Sequence, residues 1–355
     1  MVPVTILTGF LGSGKTTLLN AWLRSQDLAN AAVIVNEFGE VGIDHALIAS
    51  SNENTIELST GCLCCTVRGN LVDTLRELQV RRAKGEVRDF DRVVIETTGL
   101  ADPAPVIQAL MTFPVVRRFR LSQVVTAVDA VHGVTTLRQH PESVKQAAVA
   151  DDIIITKTEI PGAAVDRVAA AVKALNPGAR LHRSALECLV QPSDLGGADI
   201  YDLSTKSEDV LGWLNAEAYQ QAGEAPHEDN HESPPHHGHQ HDINRHNAEI
   251  GSFCLIYSEP LHWEHVSTWL DALVMAHGDQ LLRVKGILSI VGREKPIVVQ
   301  AVQRLFHPPF ELTEWPAGER HSRIVFITRA LSRDFIVEVL ETIRQKQIAH
   351  AQASN

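Results

Sequence analysis

No stretch of this chain approaches the roughly 18–20 consecutive apolar residues of a membrane-spanning helix, so no membrane partner is expected. A basic excess is missing too: 32 Lys and Arg stand against 43 Asp and Glu, a formal net charge of -11. That balance argues against a nucleic-acid partner, which usually demands a basic face. The amino-terminal run MVPVTILTGFLGSGKTT is apolar but lacks the basic segment of an export signal, and it ends in glycines and a lysine. A cytoplasmic address is therefore expected. Cysteine is scarce, five in 355 residues, and in a reducing compartment a cluster of thiols points to metal or redox chemistry before disulfides.

The rest of the composition is ordinary for a globular chain, 44% hydrophobic and 21% charged. Its length exceeds what one core usually serves, so two domains are expected. In the first 200 or so residues, short apolar runs alternate with longer helical patterns. Candidate strands are Val4–Thr8, Ala32–Asn36, Arg92–Glu96, Val124–Val128 and Asp152–Ile155. Several are continuous β-branched runs, as parallel strands buried on both faces require. The expectation is a doubly wound α/β domain over 1–215 with a mainly parallel sheet, binding its ligand at the carboxyl ends of the strands.

Residues 226–246 read PHEDNHESPPHHGHQHDINRH, without apolar periodicity, and 216–248 is expected to be a histidine-rich flexible linker. Beyond it, strands are expected at Phe253–Tyr257, Gly286–Val291, Ile297–Ala301 and Arg323–Ile327. A helix carries Trp263, Val266, Trp269, Leu270, Leu273 and Val274 on one face. Ser332 caps a last amphipathic helix through Phe335, Val339 and Ile343. This is a smaller α+β domain over 249–347, with 348–355 as a tail.

Gly9-Phe10-Leu11-Gly12-Ser13-Gly14-Lys15-Thr16 fits the phosphate-binding loop G-x-x-x-x-G-K-[ST], placed between a strand and a helix as that loop requires. Its glycines turn backbone N–H groups toward phosphate, and the helix N-terminus adds partial positive charge. Gly9, Gly12, Ser13, Gly14, Lys15, Thr16 and Thr17 are the candidate phosphate contacts, with Lys15 on the β/γ-phosphates and the Thr16 hydroxyl on Mg²⁺. At the tip of a later strand, Glu96 precedes Thr97-Thr98-Gly99, and the Gly99 N–H suits a γ-phosphate. Thr156-Lys157-Thr158-Glu159 ends another strand where GTPases carry Asn/Thr-Lys-x-Asp, the carboxylate accepting from guanine. Glu159 is one methylene longer than that Asp. Ser184-Ala185 resembles the turn that meets guanine O6. A positioner for the attacking water is open among Glu37, Glu40 and Glu96.

Gly61-Cys62-Leu63-Cys64-Cys65 brings three thiols within four residues, in a loop before a helix expected near Asn70. Thiolates suit Zn²⁺, Cu(I) or Co²⁺, and several on one turn can converge on one ion. Glu37, Glu40, Asp44 and His45 are candidates for a further ligand. A redox pair, Cys62 with Cys65, is the competing reading. Seven histidines, His227, His231, His236, His237, His239, His241 and His246, could collect metal weakly in the linker.

With these elements in this order, the chain resembles the CobW-type GTP-binding metallochaperones, also called zinc-regulated GTPase metalloprotein activators. The residues that carry the likeness are the GFLGSGKTT loop, NEFGEVGID at Asn36–Asp44, GCLCC at Gly61–Cys65 and ETTG at Glu96–Gly99. Leu282–Leu288 and Arg323–Ile327 look like that family's second domain. The resemblance implies Mg²⁺-dependent GTP hydrolysis, binding of zinc or cobalt, and delivery of the metal to an unidentified client metalloprotein. It leaves room for a homo-oligomer. Glu159 departs from the family's usual Asp. Two other classes compete: a metal buffer with incidental hydrolysis, and a small-molecule P-loop kinase or ATPase.

Overall fold

The computed structural model of the protein describes residues 1–37, 55–59, 65–195, 214–223, 250–316 and 320–353. Its first sheet contains β1 (Val2–Gly9), β2 (Ala31–Glu37), β3 (Thr55–Ser59), β4 (Arg92–Thr97), β5 (Phe119–Asp129), β6 (Asp152–Thr156) and β7 (Arg180–Arg183). They lie in the order β3-β2-β4-β1-β5-β6-β7, every pair parallel. Alternate residues of these runs serve opposite faces. Leu7, Val33 and Val94 pack with Leu18, Leu19 and Trp22 of α1 (Lys15–Arg24) on one face. Ile6, Ile34 and Ile95 pack on the other with α2 (Cys65–Ala83) and α3 (Ala104–Leu110). Burial on both faces is why the runs read as unbroken apolar stretches rather than alternating ones.

From β1 the chain first builds toward one edge and then, after β4, crosses to β5 and builds toward the other. The carboxyl ends of β4, β1 and β5 therefore flank the switch in winding, where open α/β sheets hold ligands. Helices α4 (Gly133–Gln139), α5 (Pro141–Ala148) and α6 (Val165–Leu175) follow on the second half.

The second sheet is antiparallel: β8 (Ile250–Tyr257), β9 (Leu281–Leu288), β10 (Ile297–Val302), β11 (Leu305–Phe306), β12 (Phe310–Glu311) and β13 (Ser322–Arg329). Its order is β11-β10-β9-β13-β8, with β12 beside β10. Ile324, Phe326 and Val299 face Trp269 and Leu273 of α8 (Trp263–His277) and Ile336 and Leu340 of α9 (Arg333–Ala353). Val325, Ile327 and Val298 point the opposite way, onto Ala148 of α5 and Leu214, Ala216 and Tyr219 of the first half. Asp151 joins the halves by charge. Its Oδ1 accepts from Arg283 at 2.6 Å and Lys285 at 2.8 Å, all three buried, while Oδ2 accepts the Val124 N–H at 2.9 Å.

Four expectations need correction. Residues 216–223, assigned to the flexible linker, form α7 (Ala216–Gly223), because Tyr219 buries its ring and donates its hydroxyl to Asn176 Oδ1 at 2.8 Å. The strand expected at Gly286–Val291 is β9, Leu281–Leu288; Arg283 and Lys285 mask its apolar run because they point to Asp151. The helix expected near Asn70 begins at Cys65. Residues 348–353, expected as tail, continue α9. Ser332 does cap that helix, its Oγ accepting the Phe335 N–H at 3.2 Å. Residues 224–249, with all seven linker histidines, lie outside the described residues. No helix among the described residues is long and apolar enough to cross a membrane.

Candidate nucleotide and metal site

The phosphate loop leaves β1 at Gly9 and enters α1 at Lys15. Gly14 caps that helix with a φ of 86°, a left-handed conformation that a side chain would strain. The turn aims the first N–H groups of α1 at the space above β1. Lys15 is buried and its ammonium folds back across the loop, donating to the Phe10 carbonyl at 3.2 Å. The Ser13 N–H donates to the same carbonyl at 3.0 Å. Ser13 Oγ is buried and makes no hydrogen bond among the described residues, as fits a hydroxyl awaiting an anion. Thr17, the third residue of the helix, is exposed.

Glu96, buried one residue before the end of β4, is brought to the helix start. Thr16 Oγ1 donates to its Oε1 at 2.9 Å. The neighbouring tips are pinned by Thr97, whose hydroxyl bonds that of Thr8 at 2.8 Å. Gly99 then lies against the phosphate loop itself. A Cβ there would sit 2.5 Å from Leu11 N and Cα, so only glycine allows this approach. Loop and strand tip thus form one surface.

The base element is tied to the same surface. Thr156 Oγ1 donates to the Ser13 carbonyl at 2.7 Å. Lys157 takes a φ of 58° and reaches back to Asp129 Oδ2 at 2.6 Å. Burial pushes the Asp129 carboxyl up, but Lys157 and the N–H groups of Val131 and His132 together hold it below its usual range. A cavity of about 140 Å³ lies between Gly12 and Ser13 on one side and Asp129, His132 and Lys157 on the other. The Thr158 N–H meets the Ser184 carbonyl at 3.4 Å, bringing the two base-side motifs together. Ser184 is fully buried and Ala185 partly so, while Glu159 is exposed in the turn, open to a ligand.

The cysteine motif is less visible. Gly61, Cys62, Leu63 and Cys64 lie outside the described residues, as do Glu40, Asp44 and His45. Glu37 ends β2 and Ser59 ends β3, which fixes where the two segments leave the sheet, and Cys65 opens α2. Among the described residues no group of three His, Cys, Asp or Glu side chains could hold a metal ion.

Three polar residues of this edge carry no motif and escape a reading of the sequence. Asp129 orients Lys157. Gln146 is fully buried on α5 and donates to the carbonyls of Gly99 at 3.2 Å and Ala101 at 3.0 Å. Asp102 ends the same loop and pairs with Lys145 at 2.5 Å. Only Asp129 leaves a trace, as an acid closing the apolar run of β5.

Residues 3–183 match the CobW/HypB/UreG nucleotide-binding domain, and residues 250–344 match the cobalamin synthesis protein cobW C-terminal domain. The chain is 33% identical over 345 residues to the zinc chaperone YjiA of Escherichia coli (strain K12), covering 97% of this chain and 99% of that protein. It is 34% identical over 358 residues to the zinc chaperone CobW of Pseudomonas aeruginosa, covering 96% and 91%. The solved structure of the Zn(II)-bound YjiA GTPase from E. coli is similar over 96% of this chain and 98% of that one, with a TM-score of 0.63 at 29% identity. With a complete phosphate loop, its acidic strand tip and both matched domains in order, the chain belongs to the CobW/HypB/UreG family and is a P-loop GTPase.

Proposed function

We propose that this protein is a cytoplasmic, GTP-gated carrier of zinc, with cobalt an acceptable substitute, that hands its ion to a client metalloprotein. The contact that supports this most directly is Thr16 Oγ1 on Glu96 Oε1 at 2.9 Å, with Gly99 packed on the phosphate loop beside it. A hydroxyl and a carboxylate at the mouth of a phosphate loop are an all-oxygen donor set, which fits Mg²⁺. Those two residues would hold the ion, which when bound neutralises charge on the β- and γ-phosphates.

Lys15 exchanges the Phe10 carbonyl for phosphate oxygens, and the N–H groups from Gly12 to Thr17 cradle the rest. Gly99 offers its N–H to the γ-phosphate. Glu96 is the catalytic carboxylate of this reading. Thr156, Lys157, Glu159, Ser184 and Ala185 receive the guanine. Phosphoryl transfer of this kind rests on positioned charge, not on covalent chemistry by the protein.

Zinc is the cargo, held by Cys62, Cys64 and Cys65 with Glu37 or Glu40 as the fourth, oxygen ligand. Loss of the γ-phosphate relaxes the segments after β2 and β4 and changes the affinity for the ion. By linkage, the metal changes nucleotide affinity by the same factor. The histidine tract supplies weaker sites that raise the local metal concentration.

Calorimetric titration of Zn²⁺ and Co²⁺, with and without a non-hydrolysable GTP analogue, tests the gating. The expected result is a nucleotide-dependent shift of the tightest site, lost in a Cys64→Ser, Cys65→Ser double variant. Equal affinities in both states would leave a metal buffer instead. Deleting residues 226–246 should lower only the number of bound Zn²⁺ ions.

A further inference from the structure

The loop from Thr98 to Asp102 joins the acidic strand tip to α3, and it is held from three directions. Gln146 donates to its Gly99 and Ala101 carbonyls. Asp102 Oδ1 accepts the Ala104 N–H at 2.9 Å, which fixes the entry to α3. Asp102 Oδ2 accepts from Lys145 and also, at 3.1 Å, from Gln303 Nε2. Gln303 belongs to the other domain. Gln108 of α3 adds a second tie to the same hairpin, donating to the Val302 carbonyl at 3.4 Å.

Gln303 stands in the two-residue turn between β10 and β11, where Val302 pairs with Leu305. Its φ is 52°, a conformation for which such turns select asparagine, aspartate or glycine. The Gln303 N–H is bonded to the Leu281 carbonyl at 2.9 Å, so the central strand of the second sheet fixes the turn. A long amide in a left-handed turn gains nothing for the hairpin itself. What it gains is reach to Asp102, in line with the tendency of such backbone conformations to mark functional contacts.

We propose that Gln303 is a positioning residue for GTP hydrolysis, acting through Asp102, by which the second domain sets the loop that carries Gly99. The proposal rests on the reading that Gly99 meets the γ-phosphate. When Gln303 and Lys145 both hold Asp102, the Gly99 carbonyl stays on Gln146 and its N–H stays on the phosphate side. A second domain displaced by a client withdraws Gln303 and loosens that loop, so client contact and turnover are coupled.

The test is GTP turnover of the full-length chain, with kcat and KM separated and the melting temperature recorded. Gln303→Gly suits the left-handed turn and should not lower the melting temperature. It should lower kcat roughly three- to tenfold with KM for GTP little changed, since one hydrogen bond to a carboxylate goes while Lys145 remains. Gln303→Glu, which sets a second negative charge beside Asp102, should lower it further. Asp102→Asn should lower kcat too, and adding Gln303→Gly to it should cost nothing more. Arg304→Ala changes the same turn but breaks only the exposed pair with Asp279, so turnover should hold. Unchanged kcat in Gln303→Gly, or losses that simply add to those of Asp102→Asn, would overturn the role. Gly99→Ala separates the two ideas: if it leaves turnover intact, the reading of the loop fails as well. If it abolishes turnover while Gln303→Gly does nothing, only the coupling fails.

Discussion

The phosphate edge and the domain junction are built from the same residue types to opposite ends. At the junction, Asp151 is surrounded by Arg283, Lys285 and the Val124 N–H, so its charge is answered within the fold. At the phosphate edge, the Ser13 hydroxyl stays without a hydrogen bond among the described residues, Gly12 and Gly14 take left-handed conformations, and Leu11 and Leu100 are exposed. At the junction the charges are balanced by folding, with Arg283 Nη1 the one buried atom of the three charged side chains left without a hydrogen bond among the described residues. The edge is finished by its ligand, and left-handed glycines and an unused hydroxyl are marks of a preformed site.

The largest break in this comparison should come at the junction. Asp151→Asn leaves two buried cations without their shared anion, and removing one partner of a buried pair costs roughly 3–5 kcal/mol. Chemical denaturation of the full chain measures it, and a loss below about 1 kcal/mol would mean the charges are hydrated rather than buried. At the edge the effect should fall on rate and spare stability. Lys15→Ala should reduce GTP turnover by about 100-fold or more, as removal of one preorganised positive donor does, with the circular dichroism unchanged. Turnover within a few-fold of the native rate would refute the loop's assignment.

Acidity sharpens the contrast through the lysine buried at the junction. Burial pulls Lys285 down from 10.5 to about 8, only partly opposed by Asp151. Between those two values the unfolded chain binds the extra proton, so this group makes stability rise as pH goes from about 8 toward 10.5. A Lys285→Met variant should lack that rise in a series of thermal melts. Asp151 adds a dependence of the same sign in a lower window. Burial raises it, but its two cations hold it well below 3.8, so its stabilisation is present above that value and fades in acid. The smallest effect concerns the base. Glu159→Asp should tighten GTP over ATP by a few-fold in a competition assay if the extra methylene loosens the guanine contact; no change would mean that Glu159 does not touch the base.

How much of this the sequence discloses depends on whether a residue's role is local. The first sheet is legible because strands buried on both faces must be apolar throughout, and the phosphate loop because backbone geometry demands glycine at fixed spacing. β9 is misread because Arg283 and Lys285 look like surface residues until Asp151, over a hundred positions earlier, is placed beside them. α7 is misread because one aromatic, Tyr219, anchors a segment whose neighbours are polar. Gln146, Asp102 and Gln303 meet only in the folded chain and share no spacing that a motif could record.

The strand order has a consequence for the proposed coupling of metal to nucleotide. All seven strands of the first sheet run the same way, so the segments that follow them emerge along one rim. Read from the β3 edge, that rim carries the end of β3 at Ser59, then the end of β2 at Glu37, then Thr98-Gly99, then the phosphate loop. Strands stand about 4.8 Å apart, so three intervals, on the order of 14 Å, separate the end of β3 from the phosphate loop. No side chain spans that distance. A coupling between the two ends of that row would have to pass along the rim, strand tip by strand tip, with the ends of β2 and β4 standing between them.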